Sequence, residues 1–216
     1  MQINSQHNFY NPQFKAQKIA KVKNCYKGLT THIDIYKINE SDQNFLKKLL
    51  KSIDLKKLYP KANEDMLKTY QDVFRASVFS AMDSSNTAYI AFNNNIRCGL
   101  FALRPGKITN MLNLVSIPID ENIKTNLVGQ TLLYQGFKDS AKANAKKIKL
   151  EAIKNSVGSP LQKYKKWGLK EIDSGDRYVQ MECDKSNIQK QLKRFAQKLS
   201  YRKVQEKNTN IEHFID

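Results

Sequence analysis

Apolar and polar positions are most informative between residues 108 and 169. Residues 108–118 form an apolar run that stops at Pro118, which cannot donate to a sheet ladder, so they predict a strand that breaks there. A loop follows over 119–128. Across 129–145, Leu132, Leu133, Phe137 and Ala141 recur at helical spacing and predict an amphipathic helix with one face on a sheet. Residues 147–153 return to period two, with Ile148, Leu150 and Ala152 on one face, and predict a strand parallel to the first. A helix starting near Gly129 aims unpaired backbone N–H groups and a positive dipole end at the preceding loop, which makes that loop a ready place for an anion.

The same reading extends outward. Residues 31–37 alternate like a strand, and Ser41 is placed to cap a helix carrying Phe45, Leu46, Leu49, Leu50 and Ile53. Beyond Pro60, the group Asn63, Glu64 and Asp65 opens a second helix, with an expected buried face of Met66, Leu67, Tyr70, Val73, Phe74 and Phe79. Two strands, 87–92 and 96–103, flank Asn93, Asn94 and Asn95, residues that tolerate the left-handed backbone of a tight turn. A closing pair is expected at 170–172 and 178–183. Residues 187–204 place Ile188, Leu192, Phe195 and Leu199 on one helical stripe, best used by docking on the domain. Residues 1–30 show no sustained period and read as an irregular extension. The chain thus divides into a basic extension (1–30), a mixed α/β domain with a central sheet flanked by helices (31–184), and a basic helical tail (185–216).

Within this order, Val115, Ser116, Ile117 and Pro118 end a strand, Lys124, Leu127 and Gly129 lead into the pair Leu132 and Leu133, and Tyr164 stands four residues before Gly168 and Leu169. These positions resemble the acetyl-CoA-binding core of the GNAT N-acetyltransferases, and the element order resembles that fold over most of 31–184. Lys124 stands where the family prefers Arg or Gln, Leu127 where it has its first glycine, and Leu169 where it has phenylalanine. The resemblance implies that the backbone from Val115 to Ile117 pairs with the pantetheine arm and that Lys124, Leu127, Val128, Gly129 and Gln130 cradle the pyrophosphate. It also implies Tyr164 as a proton donor to the departing thiolate and Asn155 as a further cofactor contact. Tyr164 is also readable as a packed aromatic, since Asn155 lies nine residues before it where the family has seven, and Gly129 as an ordinary turn glycine. For the base, Glu151 on the neighbouring strand is one candidate, with an exposed or salt-bridged role as its alternative, and His32 is another, with a structural role as its alternative; direct attack by a neutral amine needs no protein base.

Charge changes the picture at the ends. The chain of 216 residues carries 37 Lys+Arg against 20 Asp+Glu, a formal +17. Residues 1–30 hold five lysines and no acid, and 185–216 hold eight basic residues against three acidic, so the extensions carry more than half of the excess. Such tails suit RNA, an anionic membrane surface or an acidic partner, or are simply solvated. No apolar run reaches the ~20 residues of a membrane span, and the first residues lack the apolar stretch of a secretory signal, so a cytoplasmic protein is expected. Cys25, Cys98 and Cys183 are an odd, widely spaced set that fits reduced thiols. His7, His32 and His213 form no metal-ligand spacing with them, and neither a Walker loop nor a nucleophile elbow occurs. The expectation is an acetyl-CoA-dependent N-acetyltransferase without a metal, acting on an amine-bearing small molecule or protein. The alternative is a noncatalytic module on the same fold whose basic ends bind RNA or an acidic partner. Neither the acceptor nor the oligomeric state can be read from the sequence.

Overall fold

Alternation along the central strands gives one sheet two apolar faces, and each face recruits its own helices. The computed structural model describes residues 16–26, 29–117, 127–154, 160–209 and 211. Nine strands are described: β1 (Ala16–Tyr26), β2 (Leu29–Lys37), β3 (Thr87–Asn93), β4 (Ile96–Arg104), β5 (Ile108–Ser116), β6 (Lys147–Ile153), β7 (Lys170–Ser174), β8 (Tyr178–Asp184) and β9 (Tyr201–Thr209). They form a single sheet in the order β7-β8-β6-β5-β4-β3-β2-β1-β9. The helices are α1 (Gln43–Ser52), α2 (Leu55–Leu58), α3 (Glu64–Met82), α4 (Val128–Lys142), α5 (Pro160–Lys166) and α6 (Lys185–Lys198). In β3, Ala88, Ile90 and Phe92 pack with Phe45, Leu46, Phe74 and Val78 of α1 and α3. Tyr89 and Ala91 face the other way, into the layer that holds Leu132 and Phe137 of α4 and Phe195 of α6.

Local signals set the helix starts. Asn63 Oδ1 accepts from the Met66 N–H at 2.9 Å at the head of α3, and Asp184 Oδ1 accepts from the Asn187 N–H at 2.9 Å at the head of α6. Asn94 and Asn95 take φ of 48° and 64°, so the hairpin between β3 and β4 turns as their residue types predict. In α3, Phe79 is 59% exposed and does not join the buried face; Ser77, Val78 and Ala81 do. Five residues beyond Phe74 lie about 140° around a helix, which turns Phe79 outward.

Two segments depart from the sequence reading. Residues 16–26 are not irregular: β1 pairs antiparallel with both β2 and β9 and buries Ala16, Ala20 and Val22. Its apolar positions are small and interrupted by Lys18, Lys21 and Lys23, so the period is faint without its partners. Lys18 itself is tied to Asp34 at 2.6 Å. The tail is not one helix either. The backbone turns extended at Leu199, and Tyr201–Thr209 forms the edge strand β9. The docking stripe is as expected, with Ile188, Phe195 and Leu199 buried and Leu192 packed beside them. Cys98 and Cys183 are buried free thiols.

α5 ends on a Schellman motif, in which the Leu169 N–H reaches Tyr164 O at 3.1 Å and the Gly168 N–H reaches Lys165 O at 3.0 Å. Gly168 has φ of +82°, and a Cβ there would stand 3.0 Å from Gln191 Nε2 of α6. Gly168→Ala is therefore expected to lower stability by about 1–2 kcal/mol, from the left-handed backbone alone. Chemical denaturation measures this; an unchanged midpoint would rule out the strain.

Candidate functional site

β5 and β6 run parallel but pair only from Ile108 to Asn110 with Lys147 to Lys149. Beyond that point both strands continue, β5 to Ser116 and β6 to Ile153, held by their outer neighbours β4 and β8 and no longer by each other. A bulge helps to part them. Leu100 stands opposite Val115 while Ala102 stands opposite Leu112, so Asn113 and Leu114 share one position across from Phe101 and β5 bends. The result is a wedge in the middle of the sheet with a free strand edge inside it.

The backbone on that edge can be assigned. Ile117 donates its N–H to Cys98 O at 2.9 Å and so faces β4. Alternation along an antiparallel pair then turns the N–H and C=O of Ser116 toward the wedge. The Ile117 side chain is buried on the α1 and α3 face. Val115 lies opposite Leu100 in β4. Of the three residues expected to pair with a pantetheine arm, Ser116 is the one whose polar backbone groups point into the gap.

α4 begins next to this edge without a side-chain cap and without an acidic residue in its first turn. The first bond of the helix is from the Thr131 N–H to Leu127 O at 2.8 Å, so the amides of Val128, Gly129 and Gln130 have no acceptor within the helix. Leu127, the departure that weighs most against a phosphate turn, has φ of −107° and packs its side chain on the core shared with α4 and α6. No glycine is required at such a φ, and the turn is not filled by the leucine. Val128 is fully buried and anchors the first turn. Two polar atoms in that turn, Gln130 Oε1 and Thr131 Oγ1, are buried without a hydrogen-bond partner. Thr131 is a residue the sequence reading passed over; its one signal was a hydroxyl on the apolar stripe that carries Leu132. Lys124 and Asn155 lie outside the described residues.

Tyr164 of α5 is buried on the α4 face, its ring 5.8 Å from that of Trp167 and edge-on to it. Burial pushes its phenol up to about 12. Glu151 is exposed on β6, opposite Gln180 of β8, and projects to the other face from Leu150 and Ala152. The two residues proposed from the sequence as acid and base are therefore on opposite sides of the sheet. Among the described residues no three His, Cys, Asp or Glu side chains gather in a way that holds a metal ion. No described helix is long and apolar enough to cross a membrane.

Solved structures share this fold over most of the chain. The PaiA N-acetyltransferase of Thermoplasma acidophilum, solved in complex with coenzyme A, aligns with a TM-score of 0.52 at 21% identity, over 70% of this chain and 98% of its own. The fold is that of the GNAT N-acetyltransferases. An aminoglycoside 6'-acetyltransferase of type Ii aligns at 0.52 with 17% identity, over 69% of this chain and 96% of its own. An uncharacterised protein of Bacillus halodurans gives 0.51 at 12% identity, over 84% and 98%. No family model and no curated protein sequence matches the chain. In this chain β1 and β9 extend the sheet at the β2 end, and α6 covers α4.

Proposed function

We propose that the chain is an acyltransferase that moves an acetyl group from acetyl-CoA to an amine. The observation that carries this reading is the wedge between β5 and β6 beside the uncapped first turn of α4. A free strand edge offers backbone partners to an amide-bearing arm, and the helix start offers N–H groups to a pyrophosphate; a single ligand carrying both fits both. The unpartnered Gln130 Oε1 and Thr131 Oγ1 give that ligand further polar contacts. The resemblance assigns Lys124 and Asn155 further contacts with the same cofactor.

Acetyl-CoA supplies an activated thioester when bound. The chain's own residues then have three tasks. Ser116 orients the arm through its backbone, and the amides of Val128 to Gln130 hold the phosphates. Tyr164 donates a hydrogen bond to the sulfur as it gains charge. With its phenol at about 12 and an ordinary thiol near ~8.5, stabilising the developing thiolate through that bond is favoured over handing over the proton outright. Glu151, on the opposite face, is placed to take a proton from an ammonium approaching from that side; a neutral amine dispenses with it.

Calorimetric titration with acetyl-CoA tests the reading, followed by release of free thiol with a panel of amines. Saturable binding and amine-dependent thiol release are expected. An absence of binding would leave the fold as a noncatalytic module. Tyr164→Phe should keep cofactor affinity and slow turnover by about 100-fold. Equal rates for the two proteins would return Tyr164 to a packing role.

A further inference from the structure

At the far end of α4, about 15 Å along the helix from its first turn, four lysines converge on one cavity. Lys138 and Lys142 come from α4, Lys37 from the end of β2 and Lys203 from β9, and they line a pocket of about 440 Å³. Among the described residues none of the four has a carboxylate within ion-pair range. The one carboxylate in the lining, Asp139, is already engaged. Its Oδ2 accepts from the Tyr89 hydroxyl at 2.5 Å and its Oδ1 from Gln135 Nε2 at 3.1 Å. Tyr201 completes the floor by donating to Gln135 Oε1 at 2.9 Å. Lys138 is held over it, Nζ 3.3 Å from the Tyr201 hydroxyl and 4.5 Å from its ring centroid. Burial, then the neighbouring Lys142, depresses the pKa of Lys138; Asp139 opposes this and Lys203 adds to it, so the one carboxylate offsets only part of the crowding of cations.

We propose that this pocket is a second anion site and that it takes a phosphorylated small molecule. Three features fix the class. The volume lies in the range of ~300–1,000 Å³ usual for small-ligand pockets. A surplus of cations over the single, internally bonded carboxylate calls for a ligand with two or more negative charges, which a phosphate ester or diphosphate has and a simple carboxylate lacks. The cations are all lysines, point charges that suit the tetrahedral phosphate, and no arginine fork of the kind that reads planar carboxylates is in the lining. Convergence around a cavity also sets the arrangement apart from a basic stripe that follows a nucleic-acid backbone. Tyr201 and Lys203 come from β9, and Gln17 and Ile19 of the opposite wall from β1. The pocket is thus built partly from β1 and β9, the last two strands at this end of the sheet.

Inorganic pyrophosphate is the probe, titrated calorimetrically into the full chain at low ionic strength. The wild-type chain should bind it at two sites, one at each end of α4. Replacing the exposed Lys142 and Lys203 together (Lys142→Gln with Lys203→Gln) should remove one site and leave acetyl-CoA binding unchanged, while Gly129→Glu should remove the other. In the Gly129→Glu background the lysine pair should weaken the remaining pyrophosphate affinity by about tenfold or more. Loss of all pyrophosphate binding in Gly129→Glu alone would overturn the proposal, and so would lysine variants that bind as the wild type does. A single-stranded RNA oligonucleotide that binds more tightly than pyrophosphate with the same lysine dependence would also overturn it, in favour of a nucleic-acid surface.

Discussion

Gly129→Glu is expected to raise the dissociation constant for acetyl-CoA by about 100-fold or more while the protein stays folded. Gly129 is the second residue of α4, in a turn whose amides have no acceptor in the helix. A carboxylate about 5 Å from one phosphate charge costs about 3 kcal/mol at an effective dielectric of ~20, which is about 100-fold in affinity, before any steric cost. The same acidic residue favours the helix itself, because it complements the positive dipole end. Binding and stability should therefore move in opposite directions. An unchanged dissociation constant in a folded variant would remove the pyrophosphate from this turn.

Phe195→Ala should lower stability by about 3–5 kcal/mol, the cost of emptying an aromatic site in a packed core. Phe195 is 1% exposed, and its ring centroid lies within 6.0 Å of those of Tyr134, Phe137 and Trp167. It joins α6 to α4 and to the end of α5. Lys190→Ala and Lys193→Ala, on the exposed side of α6, should change stability by no more than about 0.5 kcal/mol. Denaturant unfolding compares the three. A Phe195→Ala midpoint equal to that of the lysine variants would show that α6 is not part of the core.

The stretch from β5 to α5 was legible because each element keeps a strong period and the turns carry Pro118, Gly129 and Gly168. Leu127 was legible as a departure from the family pattern, whereas only the backbone reveals that the position has an ordinary negative φ. The bulge at Asn113 and Leu114 left no mark in the sequence, because an extra residue in a strand alters pairing and not composition. β1 and β9 were missed for a related reason. Their residues are mostly polar or small, and what makes them strands is a partner on the far side of the chain. The cluster of Tyr89, Gln135, Asp139 and Tyr201 was hidden in the same way, its members drawn from three separate segments and each unremarkable alone.

The placement of β1 between β2 and β9 also bears on how the protein comes into being. Ala16 pairs with Thr209 and Val22 with Tyr201, so one flank of an early strand must wait for the last strand of the sheet to emerge from the ribosome. Until then β1 presents a bare row of amides and carbonyls beside β2, the kind of edge that invites pairing with another chain. Contacts between residues this far apart in sequence close slowly. A nascent chain lacking β9 should therefore be prone to self-association, and emergence of β9 should be the event that seals the sheet.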